Sequence, residues 1–447
     1  MNRSTKQTRR TFLGTVAAGV TVAASSRGVV ALSRQAGASP RRIGANDKIQ
    51  VALIGAGGMG TEDARTAVTV EGVKLVAACD LYDGRVANAR KLFGQDIFTT
   101  RDYREILARP DVDAVIIGTP DHWHQKISVD AMDAGKAVYC EKPMVQQLGE
   151  GDAVVAAQRR NKAIFQVGSQ GMSSLGNEKA RELLAAGAIG TLNYAEGFWA
   201  RNSPVGAWQY PVPTDANEQT VDFDRFLGSA PKKPFDLIRF FRWRNYRDYG
   251  TGVSGDLFVH LFSSLHFITN SIGPTAIMAS GGLRYWKDGR DAPDVMLGMF
   301  DYPETKEHPP FNLSLRVNFV DGTSGSTYLR LVGSEGAMDV TWDDVTVRRN
   351  KKWDPVRAIR QEYRDDPEPE GRKEMLPSET VYKVEKGYKG AHFDHFTNLF
   401  NAIRGGKPTV EDAVFGYRAA APALACNQSY YDKRAIRWDP VTMKVVS

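Results

Sequence analysis

Two hydrophobic patterns divide the chain. Ile49-Gln50-Val51-Ala52-Leu53-Ile54 is a short apolar run of strand-forming residues, and residues 61–68, alanines interleaved with charges, have the composition of a helix. Residues 73–79 predict a second strand, 102–108 a helix, and Asp113-Ala114-Val115-Ile116-Ile117-Gly118 a continuous apolar strand covered on both faces. Helix at 126–134, strand at 137–140, helix at 149–161 and strand at 163–168 follow. Strands and helices alternating in this way build a parallel, doubly wound α/β sheet, here over residues 46–170.

From residue 171 the pattern changes. A helix at 177–186 stops at Gly187, and a strand follows at 192–199. Further strands are expected at 275–282, 295–302, 313–319 and 323–331, linked by short turns such as Asp321-Gly322. That spacing predicts an α+β domain over 171–447 with a large, mostly antiparallel sheet. Residues 201–249, rich in Pro, Trp, Tyr and Arg, are too long for a plain connection and are expected to face substrate. Residues 365–373 read as a charged surface segment, and helices at about 391–426 as packing back on the first domain.

The first turn carries chemistry. Gly55-Ala56-Gly57-Gly58-Met59-Gly60 stands between strand and helix, where Gly55 permits the bend, Gly57 lets a pyrophosphate approach, and Gly60 allows close helix–strand packing. The diphosphate would rest on free amides at the helix start, those of Gly58 and Met59 included. Asp80, at the end of the second strand, can accept hydrogen bonds from the adenosine ribose and repel a 2′-phosphate, which favours NAD; Arg85 leaves NADP open.

Charge qualifies the picture. The formal net charge of +6 would point to nucleic acid or a membrane surface, but residues 1–42 hold Lys6 and Arg3, Arg9, Arg10, Arg27, Arg34, Arg41 and Arg42, with no acid. The remainder carries −2, so neither nucleic acid nor stable membrane insertion is expected. A basic start, an apolar stretch at 12–24 too short for a bilayer core of ~30 Å, and then small residues make an export signal. Thr8-Arg9-Arg10-Thr11-Phe12-Leu13 resembles the twin-arginine signature, whose machinery exports folded proteins, and Ala36-Gly37-Ala38 offers a cleavage site. A signal peptide over 1–38 and a periplasmic location are expected. Three cysteines, Cys79, Cys140 and Cys426, form no disulfide framework. Folding before export would let the protein load a dinucleotide that the periplasm does not supply, and keep it.

Three further motifs suit alcohol oxidation. Glu141-Lys142-Pro143 follows a buried strand, so Lys142 stands at the carboxyl edge of the sheet, where its ammonium can stabilise a developing alkoxide. Thr119-Pro120-Asp121-His122-Trp123-His124 forms the turn after the fourth strand; Thr119, Pro120 and His124 are expected on the nicotinamide side, with Trp123 packing. His122 and His124 lack the further ligands a metal needs, so none is expected. In a helical Gly255-Asp256-Leu257-Phe258-Val259-His260, Asp256 and His260 share a face. Asp256 would then orient His260, which accepts the hydroxyl proton; His266 reads as structural. Trp199, Trp208, Tyr210, Trp243 and Arg244 offer a wall for a sugar.

Together these motifs resemble the Gfo/Idh/MocA family of glucose–fructose oxidoreductases and inositol dehydrogenases over nearly the whole chain after the leader. The resemblance implies a Rossmann domain joined to a domain whose open sheet commonly mediates dimers or tetramers. It also implies that Lys142 is the catalytic lysine, that Glu141 and Lys142 lie against the cofactor, and that Asp256 and His260 form the family's Asp-x-x-x-His pair. The implied activity is NAD(P)-dependent hydride transfer at a carbinol of a sugar, glycoside or cyclic polyol. The alternative is glycoside cleavage through a transient keto-sugar; exported relatives of that kind lack the Glu-Lys-Pro kept here. A non-enzymatic sugar-binding protein would not need Lys142, Asp256 and His260 together.

Overall fold

A computed structural model describes residues 47–203, 206–322, 326–349 and 378–446. The expected leader at 1–38, the charged segment at 365–373 and the start of the strand expected from 323 lie outside the described residues.

Six strands, β1 (Ile49–Ile54), β2 (Val73–Cys79), β3 (Phe98–Thr100), β4 (Ala114–Ile117), β5 (Ala137–Glu141) and β6 (Phe165–Gly168), make one parallel sheet. Their order is β3-β2-β1-β4-β5-β6. The chain runs outward through β2 and β3, then returns to the other side of β1, which opens a crevice beyond the carboxyl ends of β1 and β4. All four residues of β4 are buried, as its unbroken apolar run requires. Only glycine fits the turn after β1: Gly55 has φ +92, and a Cβ there would lie 2.7 Å from Gly118 and Thr119 backbone atoms. At Gly60 a Cβ would stand 2.1 Å from the Gly55 carbonyl oxygen, so the helix Gly58–Ala67 can pack this closely only without one.

The second sheet comprises β7 (Leu192–Ala200), β8 (Ala276–Gly282), β9 (Val295–Tyr302), β10 (Phe311–Asn318), β11 (Thr327–Gly333), β12 (Gly336–Val340), β13 (Asp344–Arg349), β14 (Ser378–Lys383), β15 (Ile436–Asp439) and β16 (Lys444–Val446). Their order is β14-β13-β12-β11-β7-β10-β9-β8-β15-β16, and every pairing is antiparallel except β7 with β10. Hydrophobic patterning missed the edge strands β14 and β16 because they lack a buried face, whereas β12, β13 and β15 bury alternate residues but in runs of four to six. In β9, by contrast, Met296, Phe300 and Tyr302 point inward while Leu297 and Met299 stand exposed. Helices Leu175–Ala185, Val259–Thr269 and Ala413–Asp432 line the inner side.

Two connections join the halves. Helix Ala391–Ile403 lies on the first sheet, burying Phe396, Leu399 and Phe400 with Val51 and Ile116. The excursion at 201–249 does more than was expected of it. Its two cations Arg201 and Arg244 stand beside Trp199 and Asp256, while most of its length folds over the loop after β2. Tyr82 bridges to Val221, Asp222 N donates to Leu81 O at 2.8 Å, and the Tyr82 hydroxyl donates to Asp215 at 2.6 Å. Its aromatic richness builds a small core of its own, in which Phe223, Phe226, Phe240, Phe241 and Tyr249 pack with Tyr82.

Candidate active site

The cofactor side starts at a helix N-terminus. Helix Gly58–Ala67 begins with no side-chain cap and no acid in its first turn, so its leading amides are free for an anion. Nothing lies within 4 Å of a Cβ placed on Gly58, so backbone there is open to close approach. Asp80 is 6% exposed, and its carboxylate accepts from Ala56 N at 2.8 Å and Tyr82 N at 3.0 Å, with Arg85 Nη1 at 3.6 Å. It lines a cleft with Gly55, Thr119, Pro120, Trp123 and Phe226. A prefixed ribose acceptor, uncapped amides and an apolar cleft fit a dinucleotide, with Gly57, Gly58 and Met59 under the pyrophosphate and Asp80 at the adenosine ribose.

The turn after β4 corrects two expectations. His124 is buried and offers no nitrogen to the nicotinamide side: Nδ1 lies 2.7 Å from Pro143 O and Nε2 2.9 Å from Thr119 O. It braces the turns after β4 and β5. Burial pulls its imidazole down to about 4. Trp123 does more than pack, since its indole and His122 Nε2 both reach Phe226 O, at 2.9 and 2.8 Å, and so tie the excursion to the cleft. Among the described residues no group of three or more His, Cys, Asp or Glu is placed to hold a metal ion.

Lys142 and Asp256 meet across the two domains. Lys142 Nζ donates to Asp256 Oδ1 at 2.8 Å and Asp256 O at 2.9 Å, with both side chains 10% exposed. Arg244 Nε stands 3.4 Å from the same Oδ1 and stacks its guanidinium on Trp243, 4.2 Å from the ring centroid. Burial alone would raise the Asp256 carboxyl, but Lys142 and then Arg244 outweigh it and hold it well below the usual carboxylate range.

The expected Asp256–His260 pair does not form. Residues Ser254–Phe258 wind as a π-helix before the α-helix Val259–Thr269, and the Asp256 carboxylate turns to Lys142 and Arg244, with no hydrogen bond to His260 among the described residues. His260 instead stacks on Trp199, with centroids 5.1 Å apart, and stands 6.0 Å from the ring of Trp342. Its Nδ1 is buried without a partner among the described residues. Burial, reinforced by Lys142, pushes the imidazole well below its ordinary value, so it rests neutral and would hold an added proton only weakly, ready to pass it on. His266 bonds the Tyr302 hydroxyl at 2.8 Å, a core contact.

The aromatic wall also divides. Trp199 stays at the site beside His260, whereas Trp208 is buried against Phe319 and Trp243 is buried beneath Arg244. Tyr210 is half-buried, and its carbonyl accepts from Arg242 Nε at 2.9 Å. Two side chains went unread in the sequence. Trp342 arrives from the turn between β12 and β13, for which no local signal exists. Arg201 had one: it alternates with Trp199 at the end of β7 and so leaves the strand on the same face.

Glu141 is turned inward, accepting from Gln170 Nε2 at 2.7 Å, and burial and then Asp63 push it up to about 8. Nearby Glu411 is fully buried, accepts from Ser263 Oγ at 3.2 Å, and is likewise pushed up to about 8 by burial. A carboxyl raised in the folded state contributes stability below its unfolded value, and that stability is lost as pH rises through the folded value. Glu411→Gln should therefore match the wild type in melting temperature near pH 4 and exceed it progressively up to pH 8. Thermal scans across that range check this; a difference that does not vary with pH would refute it.

The fold and the site define a class: two-domain dinucleotide-binding proteins with a lysine at the sheet's carboxyl edge. Residues 49–169 match the family model described as "Oxidoreductase family, NAD-binding Rossmann fold", and residues 181–438 that of its C-terminal alpha/beta domain. The chain belongs to the Gfo/Idh/MocA oxidoreductase family. It is similar to the inositol 2-dehydrogenase of Salmonella typhimurium, 28% identical over 165 residues, which are 36% of this chain and 49% of that one. It is 35% identical over 160 residues to a glycosyl hydrolase family 109 protein of Shewanella, covering 32% of this chain and 35% of that protein. The chain thus matches about half or less of the length of these curated relatives. The crystal structure of a levoglucosan dehydrogenase with NADH and levoglucosan shares the fold, with a TM-score of 0.65 at 17% identity over 88% of this chain and 99% of that one.

Proposed function

We propose that the protein is an exported NAD-dependent oxidoreductase that oxidises or reduces a carbinol of a sugar, glycoside or cyclic polyol and keeps its cofactor through turnover. The observation that carries this is the Lys142 ammonium, 10% exposed at the carboxyl edge of a nucleotide-binding sheet and 2.8 Å from a carboxylate of the other domain. When bound, NAD supplies the hydride acceptor. Lys142 stabilises negative charge on the substrate oxygen, in a site dry enough to make that worth several kcal/mol. His260, neutral and beside Trp199, accepts the hydroxyl proton. Asp256 positions Lys142 and balances its charge.

Retention is favoured by the excursion, which contributes Arg225, Phe226 and Phe240 to the adenosine-side cleft. Export follows from the basic leader with Arg9 and Arg10. Self-association follows from the open sheet face, where Met278, Leu297 and Met299 are 50%, 48% and 57% exposed. Purified protein should carry about one dinucleotide per chain after dialysis, elute at the mass of a dimer or tetramer, and show reduced-nicotinamide absorbance when given its sugar. A fully active, cofactor-free preparation would refute retention. Similarity to a glycosyl hydrolase gives the second reading its support. Release of free sugar from an aryl glycoside with no accumulation of reduced cofactor would establish it in place of net oxidation.

A further inference from the structure

We propose that the substrate is anionic, a sugar acid such as a hexuronate, and that Arg201 binds its carboxylate. The inference rests on the sugar-oxidoreductase reading and deepens it. Three cations, Lys142, Arg244 and Arg201, gather at this site, and Asp256 is the carboxylate they face. Asp256 is already engaged, at 2.8 Å by Lys142 and 3.4 Å by Arg244. Asp121, the other acid in range, is buried and accepts from Thr251 N and Oγ1 at 2.9 and 2.8 Å. Its carboxylate is thus held by the Thr251 amide and hydroxyl, while its charge acts on Arg244 and Lys142 and not on Arg201.

Arg201 therefore stands over the site with an unanswered charge. It is exposed, makes no ion pair among the described residues, and holds its guanidinium 5.9 Å from the Trp199 centroid. Trp199 in turn stacks on His260, so one indole touches both the guanidinium and the imidazole. The charge reaches the chemistry: it lowers both the Asp256 carboxyl and the His260 imidazole. A neutral sugar would leave an uncompensated positive field around a proton acceptor. A carboxylate would neutralise that field and could take the guanidinium fork bidentately.

A phosphate fits less well. Phosphates are commonly held by several free backbone amides. Here the Arg201 amide is itself engaged, donating to Asn318 O at 2.9 Å, so the arginine offers its side chain and not its backbone N–H.

The test uses the full-length protein with its bound cofactor and matched sugars: glucuronate against glucose, galacturonate against galactose, and glucose 6-phosphate. Single-turnover reduction gives kcat/KM, and calorimetry gives Kd independently of turnover. The uronate of each pair should be preferred by about tenfold or more, as one charge-assisted hydrogen-bond pair predicts. Arg201→Gln should bring the uronate-to-neutral ratio close to one in both readouts, and Arg201→Lys should restore part of it. Equal or better use of the neutral sugars, preference for the phosphate, or an unchanged ratio in Arg201→Gln would overturn this inference while leaving the oxidoreductase reading intact. If no sugar of any charge binds or reduces the cofactor, both readings fall.

Discussion

Lys142→Met should leave a folded, dinucleotide-loaded protein whose turnover has dropped about a thousandfold, the scale of losing a dry electrostatic contact to a developing oxyanion. The fold should survive because Asp256 keeps Arg244 at 3.4 Å and the methionine fills the same volume. Cofactor content should hold, since the Gly55–Gly60 turn and Asp80 follow β1 and β2 and do not contact the lysine. Bound dinucleotide, melting temperature and single-turnover rate, measured on one preparation, separate these statements. Turnover within tenfold of wild type would remove Lys142 from the chemistry.

The reverse change should behave differently. Asp256→Ala leaves the Lys142 ammonium and the Arg244 guanidinium with only the buried Asp121 as counter-charge. Removing one member of a nearly buried pair costs about 3–5 kcal/mol. For a chain of this size that is a fall in melting temperature of about 5 °C. Turnover should fall as well, because the ammonium loses the 2.8 Å contact that aims it. Adding Lys142→Met to Asp256→Ala should recover stability but not turnover, since only one cation is then left unpaired. A double variant less stable than either single one would mean that the pair holds the domains together by some other means.

The two experiments turn on a contact that the sequence misassigned. Asp256 and His260, four positions apart, read as partners because helical spacing puts them on one face. The carboxylate goes instead to a lysine 114 positions away, a cation that no local spacing places beside it. His124 went astray for a related reason. A histidine in a cofactor-side turn reads as a contact until both its nitrogens are found on the Thr119 and Pro143 carbonyls. The excursion's composition was half legible: most of its aromatic residues build a small core of their own, while Arg201 and Arg244 reach the Trp199 and Asp256 side of the site.

From the sequence alone came everything governed by near neighbours: the period of β1, β2, β4 and β5, the glycines whose missing Cβ atoms let strand and helix close up, the acid after β2, and the lysine at the end of β5. Short-range sterics and hydrogen bonding determine these, and both are written in adjacent residues. Only the tertiary structure decided which charges pair, which aromatic rings reach the site, and that residues 206–250 close over the adenosine cleft. Those outcomes depend on desolvation and on distances between segments from a dozen to more than a hundred residues apart, which no local pattern encodes.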